Sequence, residues 1–348
     1  MLHTILQAYG IVGSEVAIKP FGNGLINHTW TVNSGTKTFI LQRINHNVFK
    51  NPADIASNIR NIGDYITKNC PGYLFVSTIK TLQQQDLVFK EGEGYFRLFP
   101  FVENSHTIDV VTAPEQGYEA AKQFGKFTKI LSSFPAEKLH TPLANFHNLP
   151  LRYQQFENAI ISGNKKRINA AADSIKFLQQ QYAIVTTSEN IPTNSAFKKR
   201  VTHHDTKISN VLFDHNDKGL CVIDLDTVMP GYFISDVGDM LRTYLSPVSE
   251  EEPNFDKIEI RDDYFKAIAE GYMLEMNDEL TLTEKNHFVY AGKFMIYMQA
   301  LRFLTDYIND DVYYGAKYEG HNLVRGKNQA VLLQKLIEKE KRLSEIIR

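Results

Sequence analysis

The chain has 348 residues, enough for two lobes around a large core, and is 43% hydrophobic and 22% charged, the balance of an ordinary globular protein. A net charge of −2 argues against electrostatic partners such as nucleic acid or an anionic membrane surface. Two cysteines, Cys70 and Cys221, stand in neither a C-x-x-C pair nor a metal-ligand spacing, so free thiols in a reducing compartment are expected. The first twenty residues lack a basic n-region and a long apolar run, and no stretch is long enough to span a bilayer. A cytoplasmic protein is the expectation.

In chain order, residues 2–9 read as a short helix. Strand signals follow at 16–21, 29–32 and 38–43, separated by glycine-bearing turns at 22–24 and 33–35, which together predict a meander. Asn51-Pro52 marks a helix start, and Ile55, Ile59, Ile62 and Ile66 form one apolar stripe at helical spacing. Residues 74–79, 87–89 and 95–99 read as further strands, with a reversal at 91–94. Pro100, Phe101 and Val102 then leave the sheet, which places a boundary near Val102 between units 1–102 and 103–348. The second unit reads as mostly helical, with amphipathic stripes over 114–131 and 166–182 and a charged helix over 330–348.

The chemistry concentrates in residues 200–239, RVTHHDTKISNVLFDHNDKGLCVIDLDTVMPGYFISDVGD. His203, Asp205 and Asn210 make H-x-D-x-x-x-x-N. A strand-like run to Phe213, a turn rich in Asp, Asn and Gly, and a second apolar run to Ile223 then end on Asp224. Such a hairpin returns Asp224 beside Asn210 and Asp205. Two carboxylates and an amide at one sheet end suit Mg²⁺ with one acid left over. Phosphoryl transfer needs that set: metal ions neutralise the phosphates, and a spare Asp receives the proton of the attacking hydroxyl. On this reading Asp205 is the base and Asn210 and Asp224 hold metal, while Asp226 is a further ligand or a solvated acid.

HHDTKISNVLF followed by VIDLD resembles the catalytic and metal loops of the aminoglycoside phosphotransferase and choline kinase-like family. LQRIN at 41–45, FRLFPFVENSHT at 96–107, IDLDTVMPG at 223–231, GDMLR at 238–242, RFLTDYI at 302–308 and HNLVRGKNQ at 321–329 are similar to N-acetylhexosamine 1-kinases. The resemblance implies an α+β, bilobal, protein-kinase-like fold: a small antiparallel N-terminal sheet with one helix, and a larger helical C-terminal lobe. It implies ATP and Mg²⁺ as cofactors. It places Gly22, Asn23 and Gly24 in the phosphate-covering loop and Pro100, Phe101 and Val102 at the adenine-binding hinge. It gives His203 a bracing role and has Asp236 hydrogen-bond the catalytic loop's backbone. Arg242, Asp306, Tyr307, Asn322 and Arg325 become candidates for sugar contact.

The third strand departs from the kinase pattern. Protein kinases place a Lys there for the phosphates, whereas this chain has Gln42 with Arg43 beside it, and residues 54–68 contain no Glu to complete the usual ion pair. Arg43, the only cation nearby, is the expected phosphate contact. The function expected is γ-phosphoryl transfer from ATP to the anomeric hydroxyl of N-acetylglucosamine or N-acetylgalactosamine. The nearly neutral charge, with Lys293, Arg302, Lys317, Arg325 and Lys327 spread through the last third, suits a neutral sugar better than a polycation. The other readings are an aminoglycoside, choline or homoserine kinase, a nucleotide-binding pseudokinase, and a metal-dependent hydrolase built on His203, His204, Asp205, Asp224 and Asp226.

Overall fold

Alternation in the N-terminal third builds one antiparallel sheet. In the computed structural model, which describes residues 2–13, 15–22 and 26–347, a short helix α1 (Leu2–Gln7) precedes β1 (Ala17–Pro20), β2 (His28–Ser34) and β3 (Lys37–Ile44). After α2 (Pro52–Asn69) come β4 (Val88–Lys90) and β5 (Gly94–Pro100), giving the order β1-β2-β3-β5-β4. Val32, Leu41, Phe96 and Leu98 bury one face of the sheet against Ile5 and Leu6 of α1. Residues 74–79 do not form the expected strand. Only Ile79 bridges the sheet, its N–H donating to the Leu98 carbonyl at 2.7 Å. The apolar run there packs side chains without forming a ladder.

Pro52 opens α2 at a position that needs no N–H, and Ile55, Ile59, Ile62 and Ile66 are all buried. That stripe belongs to the same core as the helical C-terminal part. The helices there are α3 (Pro114–Ile130), α4 (Leu149–Ser162), α5 (Lys165–Ala170), α6 (Ala172–Gln180) and α7 (Ala183–Asn190). The helix expected over 166–182 is therefore two, broken at buried Ala171, a break for which the sequence offers no Gly or Pro. Four short strands follow: β6 (Arg200–Thr202), β7 (Val211–Phe213), β8 (Gly219–Val222) and β9 (Met229–Gly231). They pair as two antiparallel ribbons, β6 with β9 and β7 with β8. The chain closes with α8 (Phe233–Tyr244), α9 (Asp262–Met276), α10 (Leu282–Asn286), α11 (Phe288–Ile308) and α12 (His321–Ile347).

Gly238 sets how α8 sits. A Cβ there would lie 2.4 Å from the Ala291 carbonyl, so only glycine lets α8 close onto α11. Its neighbours Asp236 and Asp239 thereby face the loop between β6 and β7. Among the described residues no helix is long and apolar enough to cross a membrane.

Candidate active site

The loop from His203 to Asn210 is held almost entirely by acids of α8. The Asp236 carboxylate is wholly buried and accepts the N–H of His203 at 3.0 Å and of His204 at 2.7 Å. Asp239 accepts the Thr206 N–H at 2.9 Å, and the Tyr244 hydroxyl donates to the Thr206 carbonyl. These bonds fix a turn in which His204 has φ +67°, a conformation that side chains rarely adopt. His203 sits edge-on to Phe124, with Nε2 at 2.9 Å from the Ile223 carbonyl. The Thr202 hydroxyl donates to the Met229 carbonyl at 3.1 Å, so His204 Nε2 must be the donor in its 2.7 Å contact with Thr202. Burial, then nearby His203, lowers the His204 pKa to about 3, so that ring stays neutral.

This clamp presents Asp205. Its Oδ1 lies 3.0 Å from Lys207 Nζ, and its Oδ2 accepts from Asn210 Nδ2 at 3.1 Å. Burial alone would raise its pKa, but the Lys207 ammonium, then His203 and the Asn210 amide, hold it below the ordinary carboxylate value. Asp205 is therefore an ionised acid aimed by two donors. Lys207 was not among the residues singled out from the sequence. Its signal was present, two positions after Asp205 in the same motif.

The β7–β8 hairpin brings the Ile223 N–H to 2.9 Å from the Asn210 carbonyl, which sets Asp224 beside Asn210. Asp224 has φ +59°, one of the residue types that tolerate the left-handed region. Although its side chain reaches solvent, the protein packed around it, then Asp226 and Asp205, push its pKa up to about 7. Among the described residues neither the Asp224 carboxylate nor Asn210 Oδ1 has a hydrogen-bond donor, and no three His, Cys, Asp or Glu side chains form a ready cation cage. Two side chains with free hard oxygens, crowded by further carboxylates, fit a Mg²⁺ ion whose remaining ligands are phosphate and water.

The structure corrects two expectations on the sheet side. Asp226 is not solvated: it is 2% exposed, with Oδ1 at 2.6 Å from Arg97 and Oδ2 accepting from Asn27 Nδ2 at 2.8 Å. Both its oxygens are already engaged by the protein, which leaves it poorly placed as a metal ligand. Arg43 is the second correction. Strand alternation turns it to the face opposite Gln42, where it meets Glu93 at 3.4 Å. Gln42 faces inward instead and accepts from Arg97 of β5. Gly22, at φ +73°, has open space where a Cβ would be, while Asn23 and Gly24 lie outside the described residues. Past Pro100, the Phe101 N–H donates to Thr38, and the Val102 carbonyl accepts from Ser105. Within the described residues the Phe101 carbonyl and Val102 N–H have no partner, an acceptor and a donor such as an adenine edge needs.

A cavity of about 700 Å³ opens between α4, α11 and residues 312–314. Its wall includes Arg152, Arg302, Asp306, Tyr313 and Tyr314. His147 links it to the loop, its Nδ1 lying 3.3 Å from His204 Nδ1. Burial, then His204 and the charges of Arg302, Arg242 and Arg152, hold the His147 pKa well down. Of the five residues expected to touch substrate, only Asp306 reaches this wall. Its carboxylate is occupied by the N–H groups of Tyr313 and Tyr314 at 2.7 and 2.9 Å and by Asn322 Nδ2. Tyr307 is buried with Arg167 over its ring. Arg242 bonds Asp239 and Glu250, and Arg325 bonds Glu250 and Asn322 while stacking on Phe303. These side chains face opposite charges within the protein, and ion pairing takes them up. Arg152 was missed in the sequence, and Arg302 was counted there among the cations of the last third but not as a site residue; among the described residues both have only neutral acceptors, namely Gln155 and the Asn145 carbonyl for one and Gln299 for the other.

Residues 17–270 match the model of the phosphotransferase enzyme family APH. Among solved structures, an aminoglycoside phosphotransferase from Alicyclobacillus acidocaldarius superposes with a TM-score of 0.64 at 11% identity, over 98% of this chain and 95% of that one. A choline kinase from Cryptosporidium parvum gives 0.60 at 12% identity, over 98% and 96%. A spectinomycin phosphotransferase in complex with ADP and spectinomycin gives 0.58 at 17% identity, over 98% of each. These likenesses show a shared protein-kinase-like architecture. With a family match over well more than half its length, the chain belongs to the APH phosphotransferase enzyme family and is an ATP-dependent small-molecule kinase.

Proposed function

We propose that this kinase transfers the γ-phosphoryl of ATP to the anomeric hydroxyl of an N-acetylhexosamine, N-acetylglucosamine or N-acetylgalactosamine. The observation that carries the choice of acceptor is the charge of the cavity. Among the described residues Arg152 and Arg302 line it without carboxylate partners, and the one carboxylate in its wall, Asp306, is tied to backbone N–H groups. Choline and aminoglycosides are cations and meet repulsion there. A neutral sugar instead finds tyrosine rings to lie against and guanidinium donors for hydroxyl and acetamido oxygens. The sequence segments similar to hexosamine kinases support the same acceptor.

Asp205 accepts the proton of the attacking hydroxyl, and Asn210 with Asp224 would hold Mg²⁺ against the phosphates. Bound metal would neutralise charge on the transferred group. Lys207, beside Asp205, keeps the base ionised and directs it. Asp236 and Asp239 hold the loop that carries the base. The Phe101 carbonyl and Val102 N–H offer the adenine edge its donor and acceptor. The test is a panel of N-acetylhexosamines, glucose, an aminoglycoside, choline and homoserine with ATP and Mg²⁺, followed by ADP release and phosphorus NMR. An N-acetylhexosamine 1-phosphate is the expected product. Phosphate at the sixth carbon, or turnover confined to choline or the aminoglycoside, overturns the acceptor assignment.

A further inference from the structure

The kinase pattern puts a lysine on the third strand, and here that position is Gln42. Its partner in the sheet register, directly opposite on β5, is Arg97. Gln42 Oε1 accepts from Arg97 Nε at 3.1 Å and from its second terminal nitrogen at 2.9 Å, a two-pronged hold on the guanidinium plane. Gln42 Nε2 in turn donates to the Thr29 hydroxyl of β2. Phe99 lies under the guanidinium at 5.0 Å. The remaining nitrogen reaches Asp226, two residues beyond Asp224.

We infer that Arg97 is the cation of this kinase's nucleotide end, delivered from β5 in place of the third-strand lysine, with Gln42 as its tether and Asp226 as its counter-ion. Arg97 acts as a positioning residue. It reaches the metal acid's segment across the space between the sheet and the helical part. Asp226 also accepts from Asn27, whose Oδ1 takes the Asn45 N–H, so the end of the glycine turn is tied to the same carboxylate. One buried acid thus fixes three things relative to one another: the sheet, the turn before β2 and the segment carrying Asp224. The 2.6 Å contact between Arg97 and Asp226 is off-axis, and neither atom makes a hydrogen bond in it. The same arrangement explains the missing glutamate on α2: the counter-ion has moved to the metal loop.

The inference rests on the reading of this protein as a Mg·ATP-binding kinase, and the test separates the two. Titration calorimetry of Mg·ATP onto the full chain is run for wild type, Arg97→Met, Asp226→Asn and the double variant. Loss of a group that orients a metal ligand weakens binding by about 10–100-fold, and that is expected for Arg97→Met. Because the two residues act as one unit, the double variant should bind within about threefold of Arg97→Met. Arg97→Met leaves Asp226 unpaired and can fail to fold. The double variant removes that charge, so its comparison with Asp226→Asn still reads the pair: similar affinities support the coupling, and a further tenfold loss counts against it. Unchanged affinity in Arg97→Met, or losses that multiply, overturns the inference alone. A folded wild type that binds no Mg·ATP overturns both readings.

Discussion

Replacing Asp236 tests the scaffold of the catalytic loop. Its side chain is wholly buried and accepts two backbone N–H groups, those of His203 and His204, one on each oxygen. In Asp236→Ala both donors lose their partner inside the protein. Each unsatisfied buried donor costs about 1–3 kcal/mol, so the variant should lose about 2–6 kcal/mol. Asp236→Asn keeps the shape and one acceptor but turns an NH₂ group toward the second N–H, for about half that loss. Burial, opposed by the two N–H groups, lifts the Asp236 pKa to about 7 from an ordinary value of 3.8. The raised value fixes the sign: stability contributed by the protonated form is complete below 3.8 and is lost as pH rises through about 7. Measurement at pH 8 therefore compares each variant with the carboxylate. Denaturant unfolding supplies the stability, and steady-state kinetics at low denaturant supplies the consequence. His204 holds φ +67° only while clamped, so kcat should fall further than ATP affinity as the loop relaxes and Asp205 loses its aim. An Asp236→Ala variant within about 1 kcal/mol of wild type, with wild-type kcat, would refute the clamp.

Asp205→Asn should lower kcat about 10²–10⁴-fold while Mg·ATP affinity, read by calorimetry, stays close to wild type. Arg43→Ala should change neither ATP affinity nor kcat measurably, because its half-exposed, solvent-screened pair with Glu93 contributes only about 0–1 kcal/mol; a tenfold rise in the ATP KM would return Arg43 to the site. Glu250→Gln should raise the acceptor KM and leave the ATP KM alone. Although burial raises the Glu250 pKa, Arg242 and Arg325 hold it below 4.5, so the wild type's acceptor affinity should be complete above that pH and decline below it, while the variant stays weak and flat.

What was legible in the sequence is what is local in it. Asp205, Asn210 and Asp224 lie within one loop and one hairpin, and a tight turn dictates that their backbones return to each other. The antiparallel sheet was legible because alternation is a period-two signal, and the stripe of α2 because it repeats at helical spacing. Arg97 was not legible, since its pairing with Gln42 depends on strand register across 55 positions. Nor were Arg152 and Arg302, which come from helices far apart in the chain and meet only through packing. Residues 74–79 misled because an apolar run says that side chains are buried and not that the backbone is paired. Arg43 misled because charge was weighed above strand alternation, although alternation decides which face a side chain occupies.

Three of the segments similar to N-acetylhexosamine 1-kinases are joined by one polar path. The Thr206 N–H donates to Asp239, Asp239 accepts from Arg242, and Arg242 donates to Glu250. Glu250 accepts from Arg325, Arg325 donates to Asn322, and Asn322 donates to Asp306, which holds the N–H groups of Tyr313 and Tyr314. The path thus runs from the residue after the base to two tyrosines of the cavity wall, through GDMLR, HNLVRGKNQ and RFLTDYI. Every charged member is partly or wholly buried, so each charge depends on its neighbour, and removing one leaves the next unpaired in a low dielectric. Such a path does not need to touch a sugar to select one. With Asp205 as the proposed base and the cavity as the proposed acceptor site, it fixes the distance between them, and therefore the size of acceptor whose hydroxyl meets Asp205 while its ring meets the tyrosines. A misplacement of about 1 Å can cost about 10²-fold in rate. On the function proposed above, acceptor choice accordingly resides as much in residues that brace the cavity as in those that line it.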